Sequence, residues 1–349
     1  MLNRFFFFVF VPMVLFTVWC YSLLKGALPL PEQRLEADAL TASVALRRDE
    51  QGYLTIEAQT DNDAFFAMGY AHAQDRLWQL EVQRRTVQGR LSEVMGREAL
   101  PFDIFIRTLG LHEAAKKSLS TLDDKALQSL EFYAKGINHW LRQETELPAE
   151  FNLLDVVPQP WTAADSLAWV KFFALNSAGN YRKELDNLLI KEVLNPQQQE
   201  FFTAEQRHSE YLELVSKMSA FATNLEEQWM FNNEFVGSNA WVVAKRHMDD
   251  GLTTLAGDPH LGLQIPSPWY MASITGDKLA VSGASLVGLP IVMLGRNRNI
   301  AWAATNMMAD AQDLYFEQVN PNDPKEYRFK DQWLQFEERL ETFHVKADF

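Results

Sequence analysis

The chain has 349 residues, enough for a large core and, by length alone, for about two domains. Its composition, 47% hydrophobic and 22% charged, is that of a globular protein, and a formal net charge of −14 repels phosphate backbones and argues against nucleic-acid binding. A single cysteine, Cys20, excludes a disulfide framework and a cysteine zinc site within the chain.

The N-terminus reads Met1-Leu2-Asn3-Arg4, followed by an uncharged run from Phe5 to Leu24. A run of that length can span a bilayer, and a signal peptide opens in the same way. Gly26-Ala27 offers small residues for cleavage, whereas Phe16-Thr17-Val18-Trp19 is too bulky for a lipoprotein signal at Cys20. Residues 1–26 are therefore expected to export the body to the periplasm or cell envelope. An uncleaved membrane anchor is favoured over a cleaved signal, with Arg4 on the cytoplasmic side.

Residues 27 to 51 read as a connector with one short strand near Ser43-Arg47. Asp61-Asn62-Asp63 can cap a helix running through Phe65, Met68 and Ala71 toward Leu77. Asp123 can cap another, in which Leu127, Leu130, Ala134, Ile137 and Leu141 recur at intervals of three and four on one apolar face. Pro158-Gln159-Pro160 interrupts the chain, and a helical stretch follows from Ala163 to about Leu194, ended by Asn195-Pro196. Residues 27–215 thus form a mainly helical region. Residues 197 to 236 are polar and weakly periodic, and a spacer is assigned to 216–237. After Ser238 the texture changes to short apolar runs: Trp241-Val243, Leu252-Ala256, Tyr270-Ile274, Leu279-Ser282, Ile291-Leu294, Ile300-Ala304 and Leu314-Val319. Turn residues at Asp249-Asp250-Gly251, Gly276-Asp277 and Arg296-Asn297-Arg298-Asn299 separate them, which predicts an antiparallel sheet over 238–349. The class is α+β, helices first and strands second. Ten Trp and 24 Phe supply either a large core or a site for an apolar group.

Several long motifs fall in one order. They are Ser238 to Val243, Asp258-Pro259-His260-Leu261, Gly288-Leu289-Pro290, Gly295 to Trp302 and Ala309 to Tyr315, preceded by Asp63 to Tyr70, Ala73 to Gln79 and Gly89 to Glu93. Together they resemble the penicillin acylase family, N-terminal-nucleophile amidohydrolases that cut themselves to become active, over most of residues 45 to 320. The resemblance implies a four-layer αββα sandwich and self-cleavage between Gly237 and Ser238. It also implies an α/β heterodimer and hydrolysis of a linear amide joining an acyl group to a small amine. Candidate substrates are β-lactam side chains, N-acyl homoserine lactones and other acylated amines.

The same resemblance assigns roles. Ser238 is the nucleophile. A serine hydroxyl needs a base, and a freed α-amine, with an ordinary pKa of about 7.7–8.0, can serve as one at neutral pH. Glycine before the serine tolerates the strained geometry of an N-to-O acyl shift. His260 occupies a position that is Gln in penicillin G acylases and His in cephalosporin, aculeacin and homoserine-lactone acylases. Asn306 matches a backbone oxyanion donor. Asp310, Asp313, the Gln312 carbonyl and Glu184 match ligands of a structural Ca²⁺, and an all-oxygen set suits a hard cation.

Two departures stand against the resemblance. Tyr53-Leu54-Thr55-Ile56 replaces the usual Val-Pro-His-Ile, and family members continue for several hundred residues past Phe349. The second oxyanion donor is therefore expected outside this chain, and the chain by itself is expected to be inactive or to fold poorly. Two rivals remain. Gly283-Ala284-Ser285-Leu286-Val287 fails the Gly-x-Ser-x-Gly elbow of a conventional serine hydrolase. A membrane-tethered binding or structural protein would keep the fold without the chemistry. No HExxH, Walker loop or dinucleotide fingerprint is present.

Overall fold

The computed structural model describes residues 6–26, 29–143, 146–178, 180–193, 216, 217, 220, 237–261, 264–307 and 309–347. Most of the expected spacer, and the Asn195-Pro196 stop, lie outside the described residues. At the N-terminus a π-helical turn, Phe6–Phe10, runs into helix α1, Val11–Gly26. From Phe7 to Trp19 every side chain but Val11 is exposed. Among the described residues no helix is long and apolar enough to cross a membrane.

Three strands precede the helices, where the sequence suggested one: β1 (Glu32–Leu35), β2 (Val44–Arg48) and β3 (Leu54–Glu57). β3 alternates, with Leu54 and Ile56 buried, but four residues give too short a period to read. Helix α2, Asp61–Gln88, is capped by Thr60 rather than by the Asp61–Asp63 cluster, Asp63 N donating to Thr60 Oγ1 at 3.1 Å. Asp61 serves elsewhere. Its carboxylate accepts from Lys278 N and Leu279 N, and its own N–H donates to Asp277 Oδ1. α2 kinks at Arg76 (φ −144°, ψ 28°) and ends at Gly89, whose φ of 60° is left-handed.

Helices α3 (Leu100–Leu109), α4 (Leu111–Leu119) and α5 (Asp124–Leu141) follow. Asp123 caps α5 as expected, accepting from Ala126 N at 2.8 Å, and Leu130, Ala134 and Ile137 of the predicted face are buried. α2 and α5 touch backbone to backbone. A Cβ at Gly69 would lie 2.0 Å from Tyr133 O, and one at Gly136 would lie 1.9 Å from Phe66 O. This reciprocal glycine pair fixes the central helix against its neighbour. The predicted helix from Ala163 is two helices, α6 (Ala163–Ala178) and α7 (Asn180–Val193).

The strands after Ser238 are β4 (Gly237–Val243), β5 (Thr254–His260), β6 (Trp269–Thr275), β7 (Ala280–Leu286), β8 (Val292–Asn297), β9 (Ala301–Trp302), β10 (Val319–Asn320), β11 (Asp323–Phe329) and β12 (Gln332–Gln335). The run Leu314-Val319 is not the expected strand. Only Val319–Asn320 pairs, because Leu314 N donates to the Glu184 carboxylate instead of to a neighbouring strand. One seven-stranded sheet has the order β1-β2-β3-β6-β7-β8-β9. All its pairs are antiparallel except β3–β6, which is parallel with Leu54 opposite Ala272 and Ile56 opposite Ile274. The N-terminal strands and β6–β9 are therefore one sheet, and the expected order of helices first, strands second does not describe it. Its inner face, with Leu46, Ile56 and Ile274, packs on Phe66 and Met68 of α2. β4 and β5 form a separate two-stranded hairpin, and β10–β12 a three-stranded sheet. The expected α+β class holds.

Candidate active site

The hairpin register places Gly237 opposite His260 and Ser238 opposite Pro259. Ser238 is the second residue of β4, after Gly237. Its hydroxyl donates to the Gly237 carbonyl oxygen at 2.6 Å, so the expected nucleophile rests on the peptide that the expected self-cleavage would break. His260 turns one ring edge to Gly237, with Nδ1 3.5 Å from where a Gly237 Cβ would be. The other edge meets Asp258, Nε2 to Oδ2 at 2.8 Å. Asp258 and His260 are two apart on one strand and share a face. That spacing is visible in Asp258-Pro259-His260, yet the sequence reading gave Asp258 no role.

A cavity of about 240 Å³ opens beside the hairpin end, lined by Gly237, Ser238, His260 and Asn306 together with Phe173, Trp269, Leu261, Met293 and Leu294. α6 supplies Phe173, β6 supplies Trp269, and β8 supplies the Met293-Leu294 wall. Three expected catalytic positions, Ser238, His260 and Asn306, thus share one mainly apolar chamber. Asn306 anchors its loop, its amide donating to Ser177 O at the end of α6 at 2.6 Å.

The loop beyond Asn306 and helix α7 together carry the expected cation ligands. Glu184, Asp310 and Asp313 each bring a carboxylate oxygen to within 4.8 Å of the others. Asn180, four residues before Glu184 on α7, donates to Asp310 Oδ1 and to the Gln312 carbonyl, both at 2.5 Å, and Ala311 N donates back to Asn180 Oδ1. The Gln312 side chain accepts from Tyr181 N at 3.3 Å. Three carboxylates and a carbonyl form an oxygen-only donor set, which fits a hard divalent cation. The sequence reading did not single out Asn180, although its spacing from Glu184 puts both on one helix face.

Residues 43–348 match the family model for penicillin amidase. The chain belongs to the penicillin amidase family. It is 30% identical over 324 residues to acyl-homoserine lactone acylase QuiP of Pseudomonas aeruginosa, covering 88% of this chain and 38% of that protein. It is also 30% identical to penicillin acylase 2 proenzyme of Pseudomonas sp. (strain SE83), covering 84% of this chain and 40% of that one. The chain therefore spans about two fifths of the length of the curated relatives it matches. A solved chain, thermostable penicillin G acylase from Alcaligenes faecalis, aligns at 23% identity with a TM-score of 0.38 over 47% of this chain and 96% of its own, too loose a likeness to add to the family match.

Proposed function

We propose that the protein carrying this chain is an N-terminal-nucleophile amidohydrolase, which cleaves a linear amide between an acyl group and a small amine through an acyl-enzyme on Ser238. The observation that carries this reading is the Ser238 hydroxyl, 2.6 Å from the Gly237 carbonyl oxygen at the edge of an apolar chamber. In the first stage Ser238 Oγ attacks the Gly237 carbonyl carbon, the Gly237–Ser238 C–N bond breaks, and water hydrolyses the resulting ester. The freed α-amine then takes the hydroxyl proton during turnover, so one residue supplies nucleophile and base. The acyl group lies against Phe173, Trp269, Met293 and Leu294. The Asn306 backbone N–H serves the oxyanion, where one donor is typically worth about 10²–10³ in rate. His260 in place of glutamine leans away from penicillin G itself, while the equal similarity to QuiP and to penicillin acylase 2 proenzyme keeps N-acyl homoserine lactones and other β-lactams as the substrate classes to test.

Glu184, Asp310, Asp313 and the Gln312 carbonyl would hold a structural Ca²⁺, which when bound neutralises their charge. These residues fix the loop that bears Asn306. The uncharged N-terminal run fits export to the periplasm or cell envelope, with membrane association through residues 1–26, and self-cleavage leaves an α/β heterodimer.

The test is N-terminal sequencing of the purified protein on a denaturing gel. A fragment beginning at Ser238, lost in Ser238→Ala, is the expected result. Hydrolysis of an acyl-homoserine lactone by a chain that mass spectrometry finds uncut would overturn the reading.

A further inference from the structure

The partly exposed His260 ring is oriented by one charged contact. Its Nε2 meets the Asp258 carboxylate at 2.8 Å, while Nδ1 faces the backbone of Gly237 across the hairpin. An ionised carboxylate only accepts hydrogen bonds, so a neutral ring bonded to it carries its hydrogen on Nε2 and keeps a lone pair on Nδ1. Asp258 therefore selects both the ring's direction and its tautomer. It is the charged group bonded to the ring. Among the described residues that line the chamber, those of β4, α6, β6, β8 and the 304–307 loop present only uncharged side chains, so His260 is the one titratable group there.

From this geometry we propose that Asp258 is a positioning residue for self-cleavage, holding the His260 Nδ1 lone pair toward the Gly237–Ser238 peptide. The inference rests on the cleavage proposed above and adds a base to a step that otherwise has none, because the Ser238 amine does not yet exist. Ser238 Oγ is bonded to Gly237 O, whereas Nδ1 faces the Gly237 side of the pair, so one water relays the proton. As Oγ attacks, its proton passes to Nδ1. As the C–N bond breaks, the same proton passes to the Ser238 nitrogen. The ester between Gly237 and Oγ then takes up water, leaving the Gly237 carboxylate and the free hydroxyl, with the released proton taken by the amine or by solvent. No other reactant is needed. In turnover the amine replaces His260 as base, so Asp258 matters more to maturation than to hydrolysis.

The experiment follows the full-length protein that carries this chain by pulse-labelled cell-free synthesis, measuring the appearance of the Ser238 terminus at neutral pH. General acid–base assistance is worth about 10²–10⁴-fold, so His260→Ala is expected to slow cleavage at least about 100-fold. Asp258→Asn removes the acceptor-only carboxylate, and its amide can offer Nε2 either an oxygen or an N–H, so one tautomer is no longer selected. It is expected to slow cleavage at least about tenfold, and Asp258→Glu is expected to recover part of the rate. A wild-type rate in Asp258→Asn would overturn the inference while leaving the proposed function standing. So would equal losses in Asp258→Asn and Asp258→Glu with thermal unfolding lowered in both, which is the signature of a merely structural carboxylate. A wild-type chain as uncut as Ser238→Ala would instead overturn the self-cleavage itself, and the inference with it.

Discussion

His72 shows how one residue ties the helices to the wall of the chamber. It is fully buried on α2 and bonds through Nδ1 to Tyr133 Oη at 2.7 Å. Tyr133 Oη accepts from Gly288 N at 2.9 Å, so its own hydrogen points to His72, and Nδ1 is the acceptor. Nε2 then carries the hydrogen and faces Ser285 Oγ at 3.4 Å, which in turn donates to Tyr270 O at 2.8 Å. Every polar atom in this chain of contacts acts in the one role that its partners leave open. Burial, aided by the Arg76 guanidinium, pushes the His72 imidazole down to about 3. The unfolded chain therefore binds a proton below about pH 6.5 that the folded chain refuses, and stability falls as pH drops from there toward 3. At pH 5 the difference is about 2 kcal/mol by linkage. His72→Asn keeps an acceptor for Tyr133 and removes the titration. Urea unfolding at pH 7.5 and pH 5 is expected to show wild type losing about 2 kcal/mol more than the variant. Equal losses would mean the imidazole protonates without unfolding.

At the scale of elements, the regular parts were legible and the irregular loop was not. Asp123 and the three-and-four spacing of α5 announce a capped amphipathic helix, and turn residues mark the β6–β7 and β8–β9 connections, because those signals are local. Residues 305–313 have no period to read. The described polar groups of this loop and Leu314 N pair with α6 and α7, through Ser177, Asn180, Tyr181 and Glu184, and strand pairing resumes only at Gln318, which meets Arg328 of β11. Motif order pointed to Glu184, Asp310 and Asp313. Asn180 stayed silent because a lone uncharged residue carries no pattern. Three carboxylates this close repel one another, and a bound hard cation would relieve them. Ca²⁺ at about 100 times its Kd is expected to stabilise the fold by about 2.7 kcal/mol, and a chelator to reverse it. Scanning calorimetry with Ca²⁺, Mg²⁺ and chelator measures this. Glu184→Gln should shrink the response, and an unmoved unfolding temperature in wild type would reject the cation.

For the molecule as a whole, the decisive contact was invisible in the sequence. β3 and β6 lie more than 200 residues apart, and no local pattern announces a parallel pairing across such a distance. That pairing crosses the Gly237–Ser238 linkage. It places residues 54–57 on one side of the proposed cut and 272–275 on the other within a single sheet. Further bonds cross the same line. Asp61 clamps the β6–β7 turn, Ser285 meets His72, Ser92 Oγ donates to His344 O, and Arg107 pairs with Glu341 and Thr342 O. Ile56 and Ile274 share the core under α2. Breaking one peptide bond at the hairpin end removes none of these. The two pieces are thus expected to co-elute on native size exclusion at micromolar concentration after cleavage, and to separate only in denaturant. Asp61→Ala strips the turn of its acceptor, which at about 1–3 kcal/mol should lower the urea midpoint for separation without dividing the pieces in buffer. Separation of the wild-type pieces in buffer would mean that the shared sheet does not survive the cut.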